Sequence, residues 1–240
     1  MDYNKHFIPL ESNPEVFNQL IHQLGVSDVL SFHDVWSLSE PELLAFIPRP
    51  VLALVIVFPT PPQYEDRLAE ENKLTPEYTK TGEDEDVMWF KQTINNACGL
   101  YGILHAVANG SARDFIEPKS HLFNLLERCT SLSPSSRATV LENDKELESK
   151  YHSVAILGDT EAPQNAESEV DFHYVCFVKS HRNDNLYIMD GDKNGPINGG
   201  PISNNDLLSE QGIDAVMEFI HQKGDSGQYS LLALAPNPHI

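Results

Sequence analysis

The longest uninterrupted apolar run in this 240-residue chain is Val51 to Phe58, far short of the roughly 20 residues that a bilayer-spanning helix needs. No apolar secretory core follows Met1-Asp2-Tyr3-Asn4-Lys5. Basic residues are scarce: 16 Lys and Arg stand against 36 Asp and Glu, a net charge of −20. That balance repels nucleic-acid phosphate and anionic lipid, so neither nucleic acid nor a membrane is an expected partner, and a basic one is favoured. Cysteine is limited to Cys98, Cys129 and Cys176, an odd number without C-x-x-C spacing, which argues against a disulfide framework and a Cys-based zinc site. Reduced thiols fit the cytosol or the nucleus. The ten histidines include no H-E-x-x-H pair and no Walker or dinucleotide-type glycine loop occurs, so no metal or cofactor is expected.

What is present reads as one globular domain over 1–240. Ser12-Asn13-Pro14 followed by Val16, Phe17, Leu20, Ile21 and Leu24 predicts a capped amphipathic helix ending near Gly25. Val51 to Phe58, bracketed by Pro48, Pro50 and Pro59, predicts a strand buried on both faces. From about 60 to 86 nine acidic residues face only Arg67, Lys73 and Lys80, which predicts a solvated acidic connector. Asn95 to Gly110 has the spacing of a helix with Cys98 in its first turn. Two or three helical segments follow between Asp114 and Tyr151, one of them around Leu122 to Arg128. His152 to Ser168 reads as a long loop, and long loops in compact domains tend to carry function. Val170 to Val178 alternates as a strand, and Leu186 to Met189 predicts its antiparallel hairpin partner. A helix from about Asn205 to Gln222 and a strand from Tyr229 to Ala235 complete the reading.

Four residues stand out chemically. A thiol in the first helical turn, as at Cys98, faces unpaired N–H groups and the positive end of the helix dipole, a setting that suits a nucleophilic sulfur. Gln92, six residues earlier, offers a side-chain amide for an oxyanion formed there. His105 lies seven residues along the same helix, roughly 10 Å away, too far to serve the sulfur. His173 sits on the alternating strand instead. If it pairs directly opposite Asp190, the two side chains share a face, although a slip of one residue would separate them. Asp192 and Asp171 are alternative orienters of that histidine.

The segment Gln92-Thr93-Ile94-Asn95-Asn96-Ala97-Cys98-Gly99, continuing through Gly102, His105 and Asn109, resembles the active-site motif of the ubiquitin C-terminal hydrolase family. The likeness extends to Pro9 through Val16, to Glu42-Leu43-Leu44 with Pro48-Arg49-Pro50-Val51, and to Gly158 through Pro163. Asp171-Phe172-His173-Tyr174 and Leu186 through Gly191 then follow in the family's order, so that about Phe7 to Ala235 is covered. The resemblance implies an α/β (α+β) papain-like fold, with a central antiparallel sheet flanked by helices and a knotted backbone. It implies Cys98 as nucleophile, His173 as its base, Asp190 as the residue orienting that base, and Gln92 as oxyanion donor. It also implies that the loop over 152–168 is the crossover that admits only small or unfolded leaving groups. One departure stands out: where the family often has a basic residue after the Asp-Gly, this chain has Asp192 and carries the charge on Lys193.

The implied substrate is ubiquitin, whose basic Gly-Gly-terminated tail suits an acidic groove. The related modifier Nedd8 would use every one of the same catalytic residues and is left open by the sequence. A non-catalytic ubiquitin-binding module is disfavoured because all four chemical positions are filled. A single-domain monomer in the cytoplasm, and also in the nucleus, is the expectation.

Overall fold

A computed structural model describes residues 3–160, 163, 165–168, 170–223 and 228–240. The chain begins with α1, Pro14–Leu24, formed as its sequence predicts. Asn13 caps it by accepting the Glu15 N–H, Pro14 occupies the first turn, and Gly25 ends it at φ 104°, a left-handed conformation that an L side chain resists. Its apolar stripe, Val16, Phe17, Leu20, Ile21 and Leu24, is buried, and each such side chain contributes about 1.5–3 kcal/mol.

In chain order there follow β1 (Leu30–Asp34), α2 (Pro41–Leu44), β2 (Ala53–Pro59), α3 (Tyr64–Leu74), α4 (Cys98–Val107), α5 (His121–Thr130), α6 (Pro134–Asn143), α7 (Lys145–Ala155), β3 (Phe172–Lys179), β4 (Asn185–Met189), β5 (Ile197–Pro201), α8 (Glu210–Gln222) and β6 (Ser230–Pro236). The strands form one antiparallel sheet in the order β1-β6-β2-β3-β4-β5. Its centre, β2, is covered on both sides, which is why eight consecutive positions are apolar rather than alternating. Val55 and Val57 join the core built with α1, α4, α5 and α7. Leu54, Ile56 and Phe58 join the core built with α8, through Val216 and Phe219. Among the described residues no helix is long and apolar enough to cross a membrane.

Several elements differ from the sequence-based expectation. The acidic stretch 60–86 contains α3, whose first turn carries Glu65 and Asp66 and whose last carries Lys73, a charge order that suits the helix dipole. The helix expected from Asn95 starts only at Cys98, because Asn96 takes φ 58° and Asn95 bridges to His6. The expected loop over 152–168 starts later, since α7 runs to Ala155, and its Glu161, Ala162 and Gln164 lie outside the described residues. The helix expected from Asn205 starts at Glu210, because the Asp206 carboxylate takes the N–H groups of Val51 and Leu208 and the Arg49 guanidinium. Strands β1 and β5 were not expected: β1 is short, and the sequence Ile-Asn-Gly-Gly-Pro of β5 has little strand character.

One buried ion pair ties the end of the acidic stretch to the helical layer. Arg137 on α6 is fully buried and donates to both Glu85 oxygens, at 2.6 and 2.5 Å, and to the carbonyls of Cys129, Trp89 and Thr130. Burial pushes the Glu85 carboxyl up, and the guanidinium opposes it. Arg137→Met leaves that carboxylate unpaired and is expected to cost about 3–5 kcal/mol in denaturant unfolding. Adding Glu85→Leu should recover most of the loss; a single variant as stable as the parent would contradict the pair's structural role.

Candidate active site

Cys98 is the first residue of α4 and is buried. The preceding residue, Ala97, has no side chain able to cap, so the first N–H groups of the helix are left for whatever enters the cleft. Two glycines let this helix lie close to its neighbours. A Cβ at Gly102 would stand 3.2 Å from Val55 Cγ1, and one at Gly99 would stand 3.2 Å from Leu10 Cβ. Cys129 and Cys176 are buried in the core, and burial pushes both thiols up, Cys129 to about 11.

His173 lies near the start of β3, paired with Phe58 of β2. By alternation it belongs to the sheet face of Val175 and Phe177, whereas α4 packs on the face of Tyr174 and Cys176. The two faces meet at this end of the sheet, and Cys98 and His173 line one cavity. The hairpin ladder sets Cys176 opposite Met189, two residues from the register that would put Asp190 directly across from His173. A two-residue offset keeps the face, and the carboxylate reaches the ring diagonally: Asp190 Oδ1 is 2.8 Å from His173 Nε2. The same oxygen accepts the Asp192 N–H at 3.0 Å. Asp192 Oδ2 stands 3.5 Å from the other ring nitrogen, Nδ1. Asp171, the third carboxylate considered from sequence, is exposed at the cavity wall.

Burial alone would lower the affinity of the His173 ring for its proton. The charges of Asp190 and Asp192, the hydrogen bond to Asp190 and one to Cys98 outweigh it and hold the ring well above the usual histidine range. Burial likewise opposes charge on Asp190, but the His173 ring prevails and holds this carboxyl down. Asp192 goes the other way: burial and the Asp190 charge push it up, against His173 and Lys91. His173, Asp190 and Asp192 offer ligand atoms within 4.8 Å of one another, the described group that could hold a cation. Nε2 is hydrogen-bonded to Asp190 and Asp192 lies 3.5 Å from Nδ1, so the donor set reads first as an ion-pair network.

Gln92 reaches the cavity from the extended segment before α4. Its N–H donates to Gly191 O at 2.9 Å, and a Cβ at Gly191 would stand only 2.9 Å from Gln92 Cβ, so the Asp-Gly turn needs glycine there. Gln92 Oε1 is buried with no partner among the described residues. Trp89 Nε1 donates to Asp190 O, and Lys91 Nζ donates to the carbonyls of Asp192 and Lys193. From below, Phe90 N–H donates to His105 Nε2, and Asn109 pairs with both the N–H and the carbonyl of Met88. His105 is thus a brace, not a base, and burial pushes it down to about 3. The sequence singled out neither Asn109 nor Lys91 for this bracing, since contacts across such chain distances leave no periodic signal.

A second cavity meets the first at Cys98. It has a volume of about 360 Å³ and is lined by apolar groups including Leu10, Val57 and Tyr174, whereas the cavity of about 420 Å³ on the His173 side is lined by Tyr64, Glu65, Gln92 and Asp192. Between α7 and β3 the connecting segment is held at both ends. Glu11 Oε2 accepts from the N–H and hydroxyl of Thr160, and Asn96 Nδ2 donates to the carbonyls of Ala166 and Ser168. Lys193, which carries the basic charge after the Asp-Gly turn, pairs with Glu71 on α3.

The model of a family described as ubiquitin carboxyl-terminal hydrolase, family 1, matches residues 7–221. A ubiquitin carboxyl-terminal hydrolase of Aplysia californica is 38% identical over 220 residues, covering 92% of this chain and 97% of its own length. One of Saccharomyces cerevisiae is 34% identical over 250 residues, with 98% of each chain covered. Among solved structures, the catalytic domain of Trichinella spiralis UCH37 bound to ubiquitin vinyl methyl ester aligns with a TM-score of 0.71, covering 99% of this chain and 96% of that one. At 22% identity that likeness speaks for the fold alone. Matched by the family model over most of its length, and by relatives above 30% identity over nearly all of it, this chain belongs to the ubiquitin carboxyl-terminal hydrolases, family 1.

Proposed function

We propose that this chain is a thiol-dependent ubiquitinyl hydrolase that releases small or unfolded adducts from the C-terminal glycine of ubiquitin. The observation that carries the reading is the meeting of Cys98, His173 and Gln92 at one cavity, with Asp190 hydrogen-bonded to the histidine, in a member of this family. Cys98 is the nucleophile: its sulfur attacks the glycine carbonyl, and the negative oxygen is held by the Gln92 side-chain amide and the Cys98 N–H. His173, charged at neutral pH, gives its proton to the leaving amine as the C–N bond breaks, which leaves a thioester. The now neutral ring takes a proton from water, which attacks the thioester and frees the sulfur. Asp190 orients the ring and stabilises its charged form.

The segment from Ile156 to Asp171, anchored by Glu11 and Asn96, is the crossover that limits leaving-group size. The net charge of −20 steers the basic tail of ubiquitin toward the cleft. We further infer that the protein acts as a monomer, in the cytoplasm and in the nucleus.

The direct test is hydrolysis of ubiquitin carrying a C-terminal fluorogenic amide, with Nedd8 in competition. Cys98→Ala should lose roughly 10⁴-fold or more in kcat, and Asp190→Asn about two orders of magnitude less than that. Near-parental turnover by Cys98→Ala would end the assignment. Stopped-flow capture of ubiquitin should slow several-fold between about 50 and 300 mM salt, and a salt-independent rate would remove the steering argument. Folded diubiquitin should be cut poorly, and inserting about ten Gly and Ser residues into the 156–171 segment should speed it. Efficient cleavage of folded chains by the unaltered protein would contradict the gate.

A further inference from the structure

We propose that Asp192 is a positioning residue for His173: a second carboxylate set 3.5 Å from the Nδ1 side of the ring while Asp190 hydrogen-bonds Nε2, so that two negative charges hold a charged imidazole in place and leave the Nδ1 proton for Cys98 and the leaving group. The inference rests on the hydrolase reading above and adds to it a residue outside the Cys98, His173, Asp190 and Gln92 set.

The geometry is specific to this carboxylate. Asp192 is held through its backbone at both ends, its N–H donating to Asp190 Oδ1 and its carbonyl accepting from Asn72 Nδ2 and Lys91 Nζ. The turn that presents it is closed by Gly191, where a side chain would strike Gln92. The carboxylate is buried. Oδ2 stands 3.5 Å from His173 Nδ1, and Oδ1 has no hydrogen-bond partner among the described residues. A buried carboxylate with one oxygen unpaired is costly to the fold, and the compensation visible here is its attraction to the ring.

Among the described residues the charged and titratable groups around the pair come from several elements. Facing Asp192 are Asp190 of its own turn, Glu65 of α3, Lys91 of the segment before α4, and Tyr3 near the start of the chain. Facing His173 are Cys98 of α4, Tyr64 of α3 and Phe58 of β2, the last two as rings at 5.7 and 6.0 Å. Lys223, just after α8, acts on Asp190 from a distance. The carboxylates nearest the ring are therefore the two aspartates. Lys193, which could have brought a cation here, is spent on Glu71.

The consequence is a ring that stays protonated to higher pH and so remains a proton donor to the leaving amine. In kcat/KM the alkaline limb reports loss of that proton in the free enzyme. Replacing Asp192 removes one of the two negative charges that hold it, so the limb must move to lower pH.

The experiment compares pH profiles of kcat/KM on ubiquitin fluorogenic amide for the unaltered protein and Asp192→Asn. The alkaline limb should move down by roughly one pH unit or more. In the Cys98→Ala background, nitrogen-15 NMR of the His173 ring should show a doubly protonated ring at pH 7, and Asp192→Asn should lower its titration midpoint. A uniform loss of rate with limb and midpoint unmoved would make Asp192 a purely structural residue and overturn the proposal. Should Asp192→Asn fail to fold, a neutral His173 ring at pH 7 with Asp192 intact would overturn it equally. Each of these outcomes leaves the remaining turnover dependent on Cys98, so the proposal can fail while the hydrolase reading stands; absence of Cys98-dependent turnover in the unaltered protein would sink the hydrolase reading separately.

Discussion

The closeness of α4 to the sheet is the constraint on which the cleft depends. At Gly99 and Gly102 no side chain holds α4 off its neighbours, and Leu10, Val55 and Tyr174 pack against it there. The first turn of α4 and the start of β3 bring Cys98 and His173 to one cavity. A thiol carried on one face of the sheet can then meet a histidine that alternation assigns to the other.

Around that contact buried side chains tie one backbone segment to the next. His105 of α4 and Asn109 just after it hold the Met88–Phe90 backbone, and the same extended segment is stitched to the Asp190–Lys193 turn through Trp89, Lys91 and Gln92. Arg137 closes the other end of the segment through Glu85. Gln92 is thus fixed by its backbone. A donor carried on a fixed backbone suits oxyanion stabilisation, because one that had to be reorganised during the reaction would lose most of its effect.

The electrostatics divide in the same way. The Met88–Phe90 brace relies on a histidine whose proton affinity burial lowers, and the cleft relies on one whose proton affinity is raised despite burial. The difference lies in what faces each ring: a backbone N–H in the first case, two carboxylates in the second. Two imidazoles at similar depth therefore serve opposite purposes, and chemical identity alone would not have told them apart.

Much was legible in the chain itself. The cap, first-turn proline and terminal glycine of α1, the double-sided strand β2 and the alternation of β3 follow from local sterics and from burial with a fixed period, which a sequence displays directly. So does the candidacy of Cys98, Gln92, His173 and Asp190, whose order and flanking residues carry the family likeness. Tertiary structure decided the rest. It chose the hairpin register two residues from direct pairing of His173 with Asp190, the left-handed turn at Asn96 that delays α4, and the helix inside the acidic stretch. It also separated Asp171, which stays exposed, from Asp192, which lies against the ring. A carboxylate near a histidine in sequence has no preferred nitrogen until the backbone turn between the two aspartates is built. That turn depends on Gly191 meeting Gln92, a contact across about a hundred residues that no local pattern records.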